Sequence, residues 1–120
     1  MKIVYGQQAA LFKALSHPAR LRILELLAQE EACVCHLTAA LGQRQPYVSQ
    51  QLMVLREAGL VMTREDGLLV YYRLRDERSE GVRDLLTAAR VALGLPAPAP
   101  TPRPVPGCPC PRCSPGVSAC

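Results

Sequence analysis

The chain has 120 residues and a net charge of +4, from 14 Lys and Arg against 10 Asp and Glu. This length suits one domain with a modest core, and the sequence contains no apolar run of membrane-spanning length. Its first residues lack the long apolar stretch of a signal peptide, so none is expected. We therefore expect a cytoplasmic protein with no membrane partner. In a reducing compartment, its six cysteines are expected to be ligands or redox groups, not a disulfide framework.

Leucine and alanine recur at helical spacing through the first half of the chain. This spacing predicts helices over residues 7–15, 18–29, 33–41 and 45–58. Pro18 and Pro46 fall in first turns, where the missing N–H is harmless. Gly42 and Gly59 follow the last two helices, as glycine does at helix ends.

The hydrophobic period then changes from helical to strand-like. Residues 60–64 and 68–74 are β-rich runs on either side of Glu65-Asp66-Gly67, and Asp-Gly is a strong hairpin signal. A last helix is predicted over residues 77–93. Its apolar stripe comprises Val82, Leu85, Leu86, Ala89 and Leu93. Since so small a domain offers this stripe little to pack on, we expect part of it to meet a dimer partner and part to meet the first helix.

The predicted order of helix, short turn, helix and hairpin is that of a winged helix-turn-helix. Beyond it, proline occupies every second position from Pro96 to Pro106, which is typical of an extended polyproline II spacer. We therefore predict a mainly helical DNA-binding and dimerisation domain with a β-hairpin wing over residues 1–94. A flexible, disordered Pro-rich tail with a cysteine cluster would follow over residues 95–120.

The helix over residues 45–58 would enter the major groove of double-stranded DNA. Its polar face can contact bases, because Gln pairs with adenine and Ser with several base edges, while arginines hold phosphates. The predicted DNA-binding residues are Arg44, Gln45, Tyr47, Ser49, Gln50 and Arg56 on or beside this helix, with Arg64 on the wing. The alternative is that these side chains form an ordinary solvated face.

Three separated segments resemble the ArsR/SmtB family of metal-sensing repressors. These are ALSHPARLRIL at residues 14–24, EACVCHL at residues 31–37, and QPYVSQQL with LREAGLV between residues 45 and 61. The resemblance covers about residues 8–92 and leaves out the tail. It implies a homodimeric winged-helix repressor that leaves operator DNA when a metal or metalloid binds, with the second segment as its thiolate box.

Cys33 and Cys35 are the candidate ligands within that box. Two residues apart, they would point about 200° apart on an ideal helix, so they can share an ion only if the helix start is not helical. A helix N-terminus also favours the thiolate that soft ions need. The alternative is that both are small buried hydrophobic residues.

The box departs from the arsenic-sensing pattern at two positions. Thr38 stands where a third cysteine is common, and His36 stands in place of an aspartate. We expect the tail to supply the missing sulfur from Cys108, Cys110 or Cys113, within one chain or across a dimer. With no permanent cofactor, the expected inducer is As(III), Sb(III) or another thiophilic ion such as Cd(II) or Pb(II).

Several alternatives compete with this interpretation. Cys110 and Cys113 form a Cys-x-x-Cys pair, which would also suit a thiol-redox-responsive repressor or a metal site confined to the tail. A tail with incidental cysteines is the simplest alternative. A metal carrier or thiol enzyme that does not bind DNA is a third class, but the sequence has no nucleophile–base pattern, so we expect no enzymatic activity.

Overall fold

The computed structural model describes residues 2–101 and 104–114, and residues 102–103 and 115–120 of the predicted tail lie outside it. Within the described part, the chain forms five helices and one three-stranded sheet. Their order is α1 (Lys2–Leu15), α2 (Pro18–Gln29), β1 (Ala32–Cys33), α3 (Val34–Leu41), α4 (Gln45–Glu57), β2 (Val61–Asp66), β3 (Leu69–Leu74) and α5 (Asp76–Ala92). The predicted winged helix-turn-helix is confirmed. Among the described residues, no helix is long and apolar enough to cross a membrane.

Two elements differ from the sequence prediction. Helix α1 begins at Lys2 instead of residue 7, although β-branched residues and Gly6 make its first turns poor in helix propensity. Strand β1 was not predicted. It exists because Ala32 pairs with Tyr72 and Cys33 with Tyr71 of β3, and such a distant pairing leaves no local pattern in a two-residue segment.

The main core is an aliphatic cluster in which α2 is central. Ile23, Leu24 and Leu27 of α2 are almost completely buried, and so are Leu52 and Leu55 of α4. They pack with Leu37 of α3, Leu60, Val61 and Leu74 of the wing, and Val82 of α5. The support and recognition helices are therefore fixed on one scaffold.

Local chemistry sets the ends of the helix-turn-helix elements. The His17 side chain caps α2, because its Nδ1 accepts the N–H of Ala19 at 3.2 Å. Helix α3 ends at Gly42, whose φ of 65° lies in the left-handed region that favours glycine. The short turn after it leads directly into α4, with Pro46 in the first turn.

The wing is an antiparallel hairpin of β2 and β3, paired from Val61–Leu74 at its base to Asp66–Leu69 at its tip. Gly67 and Leu68 form the turn, and the φ of Gly67 is 61°. Positive φ at the first central position is what a type II′ turn requires. The predicted hairpin is thus confirmed, with its turn one residue later than the Asp-Gly signal indicates.

The predicted stripe of α5 is divided between the core and the surface. Val82 is buried, Leu85 and Leu86 pack at the edge of the core, and Ala89 and Leu93 are exposed. Large apolar side chains are also exposed on α1. They are Ile3, Val4, Tyr5 and Phe12. Within the protomer, α5 packs against α2. The contact of its exposed apolar residues with a dimer partner stays a prediction.

Candidate metal centre and DNA-binding surface

The cysteine segment of the tail lies against α3. After α5, the tail residues that the structure describes form no helix or strand. Thr101 donates its backbone N–H to the side chain of Gln29 in α2 at 3.1 Å. Residues 104–114 then form a second buried cluster with the start of α3 and with β3. Its members are Cys33, Cys35, Leu69, Tyr71, Val105, Cys108, Cys110 and Cys113.

Four buried side chains in this cluster converge on one point. The sulfurs of Cys108, Cys110 and Cys113 lie 3.8, 4.0 and 3.3 Å from Nδ1 of His36. All four potential ligand atoms lie within 4.8 Å of one another. We call this set, His36, Cys108, Cys110 and Cys113, the quartet. Imidazole and thiolates at these distances make the donor set of a metal site.

A tight turn presents the three tail sulfurs on one side. The N–H of Cys113 donates to the carbonyl of Cys110 at 3.0 Å, and the hydroxyl of Ser114 donates to the carbonyl of Cys108 at 2.8 Å. The N–H of Val105 points to the sulfur of Cys113 at 3.4 Å. The loop is therefore closed by its own backbone, and its sulfurs face α3.

The environment of the quartet shifts its pKa values in different directions. Burial raises the pKa of Cys108 to about 12. Burial also acts to raise the pKa of Cys110, but hydrogen bonds from Cys108 and from the backbone N–H groups of Cys113 and Arg112 outweigh it, so that pKa is lowered. Burial and the nearby Arg112 lower the pKa of His36. The imidazole is therefore kept in the neutral form that binds metals.

Cys33 and Cys35 lie beside the quartet. Cys33 is in extended conformation at the N-cap of α3, so its sulfur lies 3.1 Å from that of Cys35. The start of the helix is therefore not helical, which is what two cysteines at this spacing require in order to share an ion. Burial raises the pKa of Cys33, and the neighbouring Cys110 adds to this effect. Cys35 is disulfide-bonded, contrary to the expectation that this cysteine is a reduced ligand. The thiols of Cys108, Cys110 and Cys113 are free.

Arg112 connects the tail to the wing. Its guanidinium donates to the backbone carbonyl of Glu31 at 3.1 Å and to the carboxylate of Glu31 at 2.9 Å. Arg64 of β2 binds the same carboxylate, with its Nε 3.2 Å from Oε2. Both guanidinium groups also stack on Tyr71, 4.7 and 4.9 Å from the ring centroid. The hydrogen bond from Arg64 is the main reason why the pKa of Glu31 is lowered.

Most of the predicted DNA-binding residues lie on or beside the solvent-exposed face of α4. Arg44, Gln45, Gln50 and Arg56 are exposed, and Ser49 is half-buried. The hydroxyl of Tyr47 lies 3.4 Å from Nε2 of His17, so this side chain is braced against the start of α2. Arg64 is engaged with Glu31 and Tyr71, and a phosphate contact would require it to leave them.

Gln51 belongs to the same helix but faces inwards. Its side-chain oxygen accepts a hydrogen bond from Arg20 at 3.0 Å, and Arg20 also donates to the carbonyl of Ala14 at 2.6 Å. This network ties α4 to the end of α1. Of the two neighbouring glutamines, Gln51 is therefore buried and structural, whereas Gln50 is exposed.

The sequence predicted that a tail cysteine lies beside Cys33 and Cys35, but it did not predict His36 as a ligand. Cys108, Cys110 and Cys113 all reach the box within one chain, whereas one tail sulfur was expected to join Cys33 and Cys35. His36 was noted only as a departure from a family pattern. A signal was present in the sequence, since the chain has two histidines and one of them stands inside a thiol box.

Comparison with known proteins places this architecture in a family. Residues 17–63 match the family described as "Bacterial regulatory protein, arsR family". The chain is 48% identical over 80 residues to the biofilm growth-associated repressor of Agrobacterium fabrum, covering 67% of this chain and 68% of that protein. It is 47% identical over 77 residues to an arsenic resistance transcriptional regulator of Pseudomonas putida, covering 63% of this chain and 60% of that protein.

A solved structure agrees with the sequence relatives. The homodimeric winged helix-turn-helix DNA-binding domain of Mb0332 from Mycobacterium bovis, a possible ArsR-family regulator, superposes with a TM-score of 0.68 at 35% identity. The match covers 77% of this chain and 82% of that domain. The fold and the sequence relatives therefore indicate transcriptional regulation, and not catalysis.

Proposed function

Because the chain belongs to the arsR family of bacterial regulatory proteins, we propose that it is a transcriptional repressor released from operator DNA by a thiophilic ion. The ion would bind among the sulfurs beside α3. The observation that carries this proposal is the buried approach of Cys108, Cys110 and Cys113 to the N-terminal turn of α3. A sensing site there touches the helix that supports the recognition helix.

The DNA complex would be formed by a homodimer. Exposed apolar residues on α1 and at the end of α5, such as Phe12 and Val91, supply an apolar surface for a second copy. The homodimeric state of the Mycobacterium bovis domain supports this arrangement. Two chains would carry a net charge of about twice +4, which favours approach to phosphates.

Recognition would come from α4 in the major groove. Gln45, Ser49 and Gln50 would read base edges, with Arg44 and Arg56 on phosphates and Tyr47 beside them. Gln50→Ala is expected to weaken specific binding by about 1–3 kcal/mol while leaving the salt dependence unchanged. Arg56→Ala should weaken all sequences alike and reduce the salt slope by about one.

Two routes would transmit ion binding to this surface. The first runs through α3, which begins in the cysteine cluster and ends at the turn before α4. The second runs through Arg112, which shares Glu31 and Tyr71 with Arg64 of the wing. An ion that fixes the tail would hold Arg112 in place and so restrain both the support helix and the wing.

As(III) and Sb(III) are among the inducers that a sulfur-rich site would bind. Three thiolates satisfy a trivalent arsenic centre, and Cys108, Cys110 and Cys113 provide three free thiols in one cluster. The arsenic resistance regulator of Pseudomonas putida supports the same class of ion. Cd(II) and Pb(II) are the other thiophilic candidates.

The proposal is tested by fluorescence anisotropy on a duplex selected by the ion-free protein from a random library. Arsenite, antimonite and Cd(II) are added separately in the presence of a non-thiol reductant. At least one ion should lower the affinity by about 5–150-fold. If no thiophilic ion changes the affinity of the full-length protein, the proposed function is wrong.

A second candidate, response to thiol oxidation, is favoured by one observation. Cys35 is disulfide-bonded, and the sulfur of Cys33 lies 3.1 Å from it. The sulfur of Cys33 at that distance is placed for thiol–disulfide exchange once its thiol loses the proton. Release of the duplex by diamide, reversed by reductant and unaffected by thiophilic ions, would select this function over the first.

A further inference from the structure

The quartet resembles a closed site for a four-coordinate divalent cation more closely than a site for arsenite. Bonds of about 2.3 Å to sulfur and 2.0–2.1 Å to nitrogen give a tetrahedron with edges of about 3.5–3.8 Å. The three distances from His36 Nδ1 to sulfur are 3.3, 3.8 and 4.0 Å. The three nitrogen–sulfur distances are therefore within about 0.5 Å of the edges of such a tetrahedron, and all four ligand atoms lie within 4.8 Å of one another.

The ligands come from two separate parts of the chain. His36 is held by α3, whose neighbour Leu37 is completely buried in the aliphatic core. The three cysteines belong to a loop with Cys-x-Cys-x-x-Cys spacing and no helix or strand of its own. A bound cation would thus join the tail to the helix-turn-helix by four bonds.

The loop also has the hydrogen bonds that a thiolate centre needs. The N–H of Val105 points to the sulfur of Cys113 at 3.4 Å. This is the kind of outer-shell contact that orients a metal-bound ligand. The carbonyls of Cys110 and Cys108 accept hydrogen bonds from Cys113 N–H and the Ser114 hydroxyl, so the loop that carries the sulfurs is held by its own residues.

We propose that His36, Cys108, Cys110 and Cys113 bind a divalent cation of the Zn²⁺ and Cd²⁺ class through one imidazole and three thiolates. The inference deepens the proposed function, because it names the ion class and adds His36 as a ligand. Three thiolates and an imidazole leave no open position on a tetrahedral ion. The bound cation accordingly links the tail to α3 and takes no further ligand.

His36 separates this inference from an arsenite site at the same sulfurs. Trivalent arsenic binds three sulfurs in a pyramid and does not require an imidazole, whereas a tetrahedral divalent ion loses a quarter of its protein ligands without His36. His36→Ala should therefore weaken Cd²⁺ binding by roughly tenfold or more. The same substitution should leave arsenite affinity unchanged.

The experiment titrates the full-length, reduced protein with Co²⁺, Cd²⁺ and arsenite. The wild-type protein should bind one Co²⁺ per chain with the absorption of a tetrahedral thiolate complex, and X-ray absorption of the Zn²⁺ form should fit three sulfurs and one nitrogen. His17→Gln removes the other histidine of the chain and is the matched control. It should keep both spectra.

The results distinguish this inference from the proposed function. The inference is overturned if His36→Ala keeps the Co²⁺ spectrum and the Cd²⁺ affinity. It is also overturned if His36→Ala weakens Cd²⁺ and arsenite equally, since that result would mean general damage to the loop. Ion binding with the expected spectrum but with unchanged DNA affinity would instead contradict the proposed function alone.

Discussion

The two buried clusters of this chain differ in the types of residue that form them. The first is aliphatic, contains α2, α3 and α4 residues, and includes several completely buried leucines. The second contains five cysteines with Leu69, Tyr71 and Val105. Burial of leucine side chains stabilises a fold strongly, while cysteines add little apolar area. The first cluster can therefore hold a domain together alone, whereas the second needs sulfur chemistry to hold its tail.

This contrast assigns different roles to the two regions. The aliphatic cluster fixes the DNA-reading helices whether or not an ion is present. The cysteine cluster contributes little to that scaffold, but it touches the support helix and the wing. A sensor gains from this division, because ligand binding can change one region without unfolding the other.

The largest expected effect on stability comes from a substitution that disrupts the first cluster. Leu52 of α4 is completely buried, and Leu52→Ala leaves a cavity in the centre of the domain. Unfolding in urea should show a loss of about 2–5 kcal/mol, with loss of DNA binding. Cys110→Ala is the matched control, since Cys110 is as deeply buried. If Cys110→Ala in the ion-free protein is equally destabilising, the two clusters do not differ as described.

Truncation after Gly94 removes the tail and should cost much less than Leu52→Ala. The truncated chain should keep its helices and its affinity for the selected duplex, because every residue of α4 remains. Its ion binding should fall by roughly tenfold or more. Circular dichroism and the anisotropy titration measure these effects. A truncated protein that responds fully to the ion would show that the tail sulfurs are dispensable.

The helices and the wing could be predicted because their signals are local. Pro18, Pro46 and Gly42 mark helix ends, and the leucine spacing marks the buried faces. The tail contacts could not be predicted in this way. A proline-alternating segment has no periodic apolar face, so its return to α3 depends on contacts 70 or more residues apart, such as Cys108 with His36. The ligand role of His36 becomes visible only after that return.

Cys113→Ser and Cys33→Ser compare a member of the quartet with its neighbour. Cys113 lies 3.3 Å from His36 Nδ1, while Cys33 neighbours Cys110 without belonging to the quartet. Cys113→Ser should weaken Cd²⁺ binding by roughly tenfold or more, and Cys33→Ser by less. Competition with a chromogenic chelator measures both affinities. The reverse order would move the ion to the box at the start of α3.

The smallest expected effect concerns the link from tail to wing. Arg112→Ala removes the contacts with Glu31 and Tyr71, and exposed ion pairs contribute about 0.2–1 kcal/mol. Ion binding should persist, while ion-induced loss of DNA affinity should shrink by about two- to fivefold. Arg75→Ala breaks the exposed pair with Glu77 at the start of α5 and should leave the response unchanged. An unaltered response in Arg112→Ala would exclude the wing route.

The central claim is that an ion bound between the tail and α3 controls DNA affinity. The most direct measurement is the affinity of the full-length, reduced protein for the selected duplex with and without one equivalent of Cd²⁺ or arsenite, beside Cys113→Ser under the same conditions. The account predicts a loss of at least about fivefold in the wild-type protein and almost none in the variant. Equal affinities with and without ion in the wild-type protein, or an equal loss in Cys113→Ser, would contradict it.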